Sequence, residues 1–241
     1  MPINFYIIIT IQALMYIIFS FINKKRLTLR ELLLSAGIGV TLGVPFDVLL
    51  GNFHLYTYIP SVDRELVQHT GLTISQLIIN GLLSFGIAVA TVKLFAITPI
   101  NVPQKSYSFL LVVYGILLIT SLPLIKLLQN GTIPLMFASG VFIVSLGELL
   151  LLFNKIQGPI SELLISKKIT PSFYMAAQCA FIGAVCELIN FFFPFWVWLP
   201  NTHHNRFLVE LLIVTLGYLA LLHPMIIFWK LYQKKSIGLH P

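Results

Sequence analysis

Seven apolar runs, each near the length of about 20 residues that a helix needs to cross a bilayer, occupy most of the chain. They cover residues 3–21, 32–50, 72–97, 109–128, 133–153, 173–199 and 207–231. About a quarter of the residues in soluble domains are charged, whereas here 10% are charged and 58% are hydrophobic. The pattern predicts an all-α membrane protein with seven transmembrane helices.

The basic residues predict the orientation of these helices. When the N-terminus is placed outside, twelve of the 15 Lys and Arg residues fall on the inner side, and only Arg64, Lys126 and Arg206 fall outside. Cytoplasmic loops carry such an excess of positive charge. We therefore expect a multi-pass protein of the plasma membrane with a cytoplasmic C-terminus. Because the basic residues are spread over several inner segments, the net charge of +7 reflects topology and does not indicate a nucleic-acid partner.

Two segments resemble each other at a constant offset of 140 residues. They are GVPFDVLLGNFHLYTYIP, residues 43–60, and GAVCELINFFFPFWVWLP, residues 183–200. The alignment matches Gly43 with Gly183, Asp47 with Glu187, Phe53 with Phe193, Tyr56 with Trp196, Tyr58 with Trp198, and Pro60 with Pro200. An internal repeat of this kind predicts two parallel three-helix repeats, residues 1–98 and 131–241, joined by a linker helix within 99–130.

Each repeated segment places an acid, Asp47 or Glu187, inside an apolar and aromatic run. A carboxylate at mid-bilayer costs about 2.5–3.5 kcal/mol on insertion scales, so such residues are usually functional. The alternative is a pair of hydrogen bonds that fix helix register. Low dielectric favours the protonated carboxyl group, and aromatic faces attract cations. A protonated carboxyl group beside aromatic rings is suited to protonating an alkene and to directing the resulting carbocation.

The acid followed by Gly or Asn and then alternating aromatic residues resembles the small membrane-embedded lycopene cyclase domain family of carotenoid synthesis. More distantly, it is similar to the small membrane meroterpenoid cyclases of fungi. The matching positions are Phe46, Asp47, Gly51, Phe53, Tyr56 and Tyr58 in the first copy, and Cys186, Glu187, Asn190, Trp196 and Trp198 in the second. The family's Pro-x-Glu-Glu element is missing from this chain. At the corresponding place, the third helix has Thr73-Ile74-Ser75-Gln76. Glu210 on the seventh helix is the candidate equivalent.

The resemblance implies an isoprenoid or carotenoid cyclase that takes a lipid-soluble polyprenyl substrate from the membrane without a metal or cofactor. The expected catalytic residues are Asp47, Glu187 and Glu210. The expected substrate-binding residues are Phe53, His54, Tyr56, Tyr58, Asn190, Trp196 and Trp198.

Two other functions fit the same residues. One is a non-catalytic transporter or receptor that binds a proton or cation between the repeats, and the other is a carotenoid hydratase. A metal site formed by His54, His69, His203 and His204 is a weaker alternative. A retinal protein is excluded because Lys230 lies at the inner end of the last span and not in its middle.

Three smaller features of the helices are also predicted. Gly37, Gly39 and Gly43 should form a face for close helix packing. Gln76 should be the main polar residue inside the third helix, and Lys93 should extend to the membrane interface.

Overall fold

The computed structural model describes residues 3–52, 56–59, 66–67, 70–95, 100–127, 132–166, 169–198 and 206–236. This part of the chain is mostly helical. Its helices are α1 Ile3–Ile22, α2 Leu29–Asn52, α3 Ile74–Leu94, α4 Gln104–Leu127, α5 Thr132–Phe153, α6 Pro159–Ser166, α7 Ile169–Phe192 and α8 Arg206–Ser236. Two short strands, β1 Tyr56–Tyr58 and β2 Trp196–Trp198, pair in an antiparallel sheet.

Four helices in the described residues are long and apolar enough to cross a membrane. They are α1, α2, α3 and the Gln104–Ile125 portion of α4. Shorter apolar stretches cover Phe137–Phe153 in α5 and Ala180–Phe192 in α7. Each of the seven predicted runs overlaps a helix of 20 or more residues, although the run 173–199 extends past the end of α7 into β2. The helical class is therefore confirmed, while the count of seven crossings stays a prediction.

The chain packs into two compact units. Unit 1 combines residues 1–95 with 185–211, and unit 2 combines 96–184 with 212–241. Unit 1 contains α1, α2, α3, both strands and the last residues of α7. These units are defined by packing, so the predicted repeat boundaries at 1–98, 99–130 and 131–241 stay predictions.

The strand pairing was not predicted, because the apolar run 173–199 suggested one continuous helix. Instead α7 ends at Phe192, two residues before Pro194, and proline has no N–H to continue a helix. The register pairs Tyr56 with Trp198, Thr57 with Val197, and Tyr58 with Trp196. The Ile59 amide extends the pairing by donating to the Phe195 carbonyl at 2.8 Å, while the Tyr58 amide donates to the Thr70 carbonyl at 2.9 Å.

Helix α2 packs closely on α3 through glycine, as predicted, but only part of the glycine face takes part. A Cβ atom at Gly39 would lie 2.7 Å from the Cα atom of Gly86, and one at Gly43 would lie 2.6 Å from the Phe85 ring. At Gly37, no heavy atom of the described residues lies within 4 Å of the corresponding position. Close contact between these helices thus depends on Gly39 and Gly43.

Helix α3 contains an irregular turn at its centre. It begins with a capping box in which Thr73 Oγ1 accepts from the Gln76 amide and Gln76 Oε1 accepts from the Thr73 amide. Gln76 therefore caps the helix, and the prediction that it is the main interior polar residue was wrong. That residue is the buried Asn80, which immediately precedes a π-helical turn at Gly81–Phe85.

Lys93 makes contacts within unit 1, and its extension to the membrane interface stays a prediction. Its side chain is buried, and its Nζ atom lies 3.7 Å from Glu31 Oε1. Lys25 Nζ donates to the Lys93 carbonyl at 3.0 Å. The start of α2 and the end of α3 are therefore joined at one end of unit 1 by charged contacts.

Candidate functional site

Asp47 lies on α2 in unit 1, where it is 1% exposed. Its Oδ1 atom accepts from the Tyr58 hydroxyl and its Oδ2 atom accepts from Asn80 Nδ2, both at 3.0 Å. Asn80 Nδ2 also donates to the Tyr58 hydroxyl oxygen at 3.0 Å. The acid, phenol and amide therefore form a closed ring of hydrogen bonds that fixes the orientation of the carboxyl group.

The close approach of α2 and α3 brings Asn80 within reach of Asp47. A Cβ atom at Gly81 would lie 2.9 Å from the Cα atom of Val40, so the helix backbones almost touch beside Asn80. The π-helical turn begins at this point. Single π-turns inside helices are frequent at functional sites. Asn80 was missed by the sequence reasoning, although a lone Asn within an apolar run is itself a signal.

Glu187 lies on α7 in the same unit and is also 1% exposed. The indole Nε1 of Trp196 donates to its Oε2 atom at 3.2 Å. Trp196 is the first residue of β2, four residues beyond the end of α7. The strand that follows the helix thus returns an aromatic donor to the acid on that helix.

Asn190 sets the path of the chain between α7 and β2. Its Oδ1 atom accepts from the amides of Phe195 at 2.8 Å and Trp196 at 3.0 Å. Its Nδ2 atom donates to the Trp196 carbonyl at 3.0 Å. Predicted from sequence as a substrate-binding residue, Asn190 is here bonded to main-chain atoms and positions Trp196.

The two acids are linked through the strand pair. Tyr58, bonded to Asp47, is the register partner of Trp196, bonded to Glu187. Side chains of directly paired residues lie next to each other on one face of a sheet. The Phe195 ring lies 4.8 Å from the Tyr58 ring and 5.3 Å from the Phe5 ring, measured between centroids. Two buried carboxyl groups therefore lie at either end of a short aromatic array.

The structure brings together five of the predicted site residues in unit 1: Asp47, Tyr58, Glu187, Asn190 and Trp196. The backbones of Tyr56 and Trp198 are paired in the sheet, while their side chains lie outside the described part. Phe53 and His54 also lie outside the described residues, as do the histidines of the alternative metal site. Glu210 lies in α8, and its side chain is outside the described part.

Helix α1 contributes another buried polar residue that sequence reasoning did not connect to the site. Gln12 Nε2 lies 3.9 Å from the sulfur of Cys186, the residue before Glu187. Asn4 Nδ2 donates to the Pro194 carbonyl at 2.8 Å. Helix α1 thereby holds both α7 and the segment that leads into β2.

Replacement of Tyr58 by Phe should destabilise the protein by about 1–3 kcal/mol, because one oxygen of the buried Asp47 carboxyl group loses its phenol donor. The ring and its contact with Phe195 remain. Thermal unfolding in detergent measures the effect. Tyr6→Phe is the matched control, because Tyr6 is exposed. Loss of the Tyr6 hydroxyl group should leave the melting temperature unchanged. Equal melting temperatures for both variants would show that the Tyr58 hydroxyl does not stabilise the site.

Comparison of the chain with protein-family models, curated proteins and solved structures gives no match.

Proposed function

We propose that this chain is a membrane-embedded enzyme of isoprenoid or carotenoid metabolism that cyclises an apolar polyene. The single observation that supports it best is the shared setting of Asp47 and Glu187. Both are buried in one unit, and each accepts a hydrogen bond from one member of the Tyr58–Trp196 pair. Buried carboxyl groups beside aromatic rings suit proton transfer to an alkene and stabilisation of the cation that forms.

The proposed topology has seven membrane crossings, two parallel three-helix repeats and an outside N-terminus in the plasma membrane. Support for the repeats comes from the element bounds, because α7 and β2 begin and end 140 residues after α2 and β1. The strand register supports them too. Exchanging each residue for its counterpart 140 positions away turns the pair Tyr56–Trp198 into the pair Trp196–Tyr58. The sheet is thus symmetric about Thr57 and Val197, as a two-fold relation between repeats requires.

The proposed reaction adds a proton from one carboxyl group to a terminal double bond of the polyene. The C–H bond forms with the π electrons, and a second double bond attacks the cation to close a ring. Loss of a neighbouring proton to the other acid, or to Glu210, restores a double bond. Product and substrate then have the same mass. The rings of Tyr58, Phe195 and Trp196 would face the cation, and exclusion of water would prevent its capture.

A lipid-soluble substrate would reach this site from the bilayer, and the reaction as written uses no metal or cofactor. The polar groups near the acids are already bonded to one another, in the Asp47–Tyr58–Asn80 ring and around Asn190. Such groups are better suited to holding the carboxyl groups in place than to binding a polar ligand.

Expression in a host that accumulates linear polyenes tests the proposal. We expect a new pigment of unchanged mass and shifted absorption, absent from cells carrying the empty vector. A product heavier by one water molecule would identify a hydratase instead and contradict cyclisation. Unaltered polyenes across several chain lengths, with the protein present in the membrane, would contradict both.

A further inference from the structure

Unit 2 contains a separate chain of buried polar side chains. It runs from Tyr114 on α4 through Ser161 on α6 and Glu148 on α5 to His223 on α8. All four side chains are buried. None of them takes part in the site formed by Asp47 and Glu187, which lies in unit 1.

The Glu148 side chain caps the N-terminus of α6. Its Oε1 atom accepts from the Ile160 amide at 3.0 Å, and its Oε2 atom accepts from the Ser161 amide at 3.1 Å and the Ser161 hydroxyl at 2.6 Å. Main-chain amides are obligatory donors, so both carboxyl oxygens act as acceptors. A helix N-terminus also favours a negative charge. This geometry holds Glu148 as a carboxylate.

His223 completes the site. Its Nε2 atom lies 3.0 Å from Glu148 Oε1, whereas its Nδ1 atom is buried and has no hydrogen-bond partner among the residues that the structure describes. Buried side-chain nitrogen atoms are usually bonded. When Nδ1 carries no proton, an imidazole that donates through Nε2 is neutral and has an open lone pair.

The charges nearby do not compensate Glu148. Lys230 on α8 forms an ion pair with Glu162 on α6 and donates to the Gln157 carbonyl at 2.8 Å, so these two charges cancel. Tyr114 bonds to Ser161 at 2.9 Å and contributes no charge as a phenol. In the described part of unit 2, the pair formed by Glu148 and a neutral His223 therefore keeps one negative charge.

We infer that Glu148 and His223 form a proton-binding site that is independent of the proposed cyclase site. A hydronium ion transfers a proton to the Nδ1 lone pair of His223, so one O–H bond of hydronium breaks, one N–H bond forms and water is released. The pair changes from a net charge of −1 to zero and becomes a buried imidazolium–carboxylate ion pair. Glu148 is the fixed counter-charge, and His223 is the group that exchanges the proton.

Nuclear magnetic resonance of isotopically labelled imidazole tests this inference on the full chain. The other five histidines, His54, His69, His203, His204 and His240, are replaced by Gln so that only His223 contributes signals. On acidification from about pH 9 to about pH 5, the signal of an unprotonated Nδ1 should disappear, and its pH dependence should fit the binding of a single proton. A ring whose two nitrogens keep the same protonation state over this range would overturn the inference.

Two variants on this background show whether the pair is the site. With Glu148→Gln the counter-charge is lost, so His223 should stay neutral over the same range. In Gly147→Ala, the new Cβ atom would lie 2.8 Å from Nδ1 and Cε1 of His223, and displacement of the ring should change the titration midpoint.

Gly140→Ala is the control for the glycine variant, because its Cβ atom would lie 3.6 Å from that of Ala220, an ordinary contact. We expect this variant to titrate as the parent does. A parent-like titration in both Glu148→Gln and Gly147→Ala would exclude the pair as the proton-binding site.

Discussion

Asp47→Asn and Glu187→Gln should each lower the rate of polyene conversion by about 10²–10⁴-fold, the range typical of a lost general acid or base. Both substitutions keep the size of the side chain and one oxygen that accepts the bond from Tyr58 or Trp196. In Asp47→Asn the bond that Oδ2 accepts from Asn80 is lost, but the shape of the site is kept, so we expect the protein to fold and reach the membrane. Conversion is measured by chromatography of extracted pigments and corrected for the amount of protein.

Glu31→Gln is the matched control for these acid variants. Glu31 lies at the start of α2, bonded to Thr28 and paired with Lys93. It belongs to the same unit as Asp47 but not to the candidate site. We expect conversion close to that of the parent. Full conversion by both Asp47→Asn and Glu187→Gln would show that neither acid takes part in the chemistry.

The products should also distinguish the two acids. A variant that lacks the proton donor leaves the linear polyene unconsumed, because no cation forms. Loss of the proton acceptor instead allows slow cation formation. The cation then returns a proton from a different carbon to the carboxylate of the donor acid, which gives an alkene with a shifted double bond. Identical loss of consumption in both variants would mean that each acid is needed for the first protonation.

The helical part of the fold could be predicted from the sequence because its signals are local. Each apolar run of about 20 residues has one low-energy form in a membrane, and the seven runs coincide with helices. The repeat also indicated that Asp47 and Glu187 occupy matching places. Both acids are buried in one unit, beside aromatic residues, and their equivalence by repeat stays a prediction.

The strand pair could not be predicted, since its partners are far apart in sequence. Trp196 and Trp198 follow an apolar helix, so hydropathy alone continues that helix through them. What decides otherwise is Pro194, the Asn190 side chain bonded to the main chain, and a second strand 140 residues earlier. A three-residue strand is stable only when its partner is present.

Single polar residues were harder to assign than paired acids. Asn80 has no counterpart in the repeated segments, and its role follows only from the approach of α3 to α2. Glu148 and His223 are 75 residues apart in sequence and meet through packing in unit 2. Sequence spacing predicts which face a residue takes on its own helix, but not which residue on another helix it contacts.

Gly39→Ala should strongly destabilise the protein, although it removes no side chain of the candidate site. The new Cβ atom would overlap the Gly81 carbonyl oxygen and the Gly86 amide, and would lie 2.7 Å from the Gly86 Cα atom. These are backbone atoms, which cannot rotate away as a side chain can. Helices α2 and α3 must therefore separate. Overpacking of a protein core costs roughly 1–3 kcal/mol, and we expect the cost here to be at least as large.

Separation of α2 from α3 should also disturb the site, because Asn80 directly precedes Gly81 and bonds to Asp47 on the opposite helix. Thermal unfolding in detergent should show a lower melting temperature for Gly39→Ala, together with reduced conversion of polyene. Gly37→Ala is the control on the same helix, since no heavy atom in the described part of the chain lies within 4 Å of its Cβ position. It should be as stable as the parent or slightly more so, because Ala favours helix over Gly by about 1 kcal/mol. If Gly39→Ala behaves in the same way, the two backbones do not approach closely at Gly39, and the position of Asn80 beside Asp47 loses its structural support.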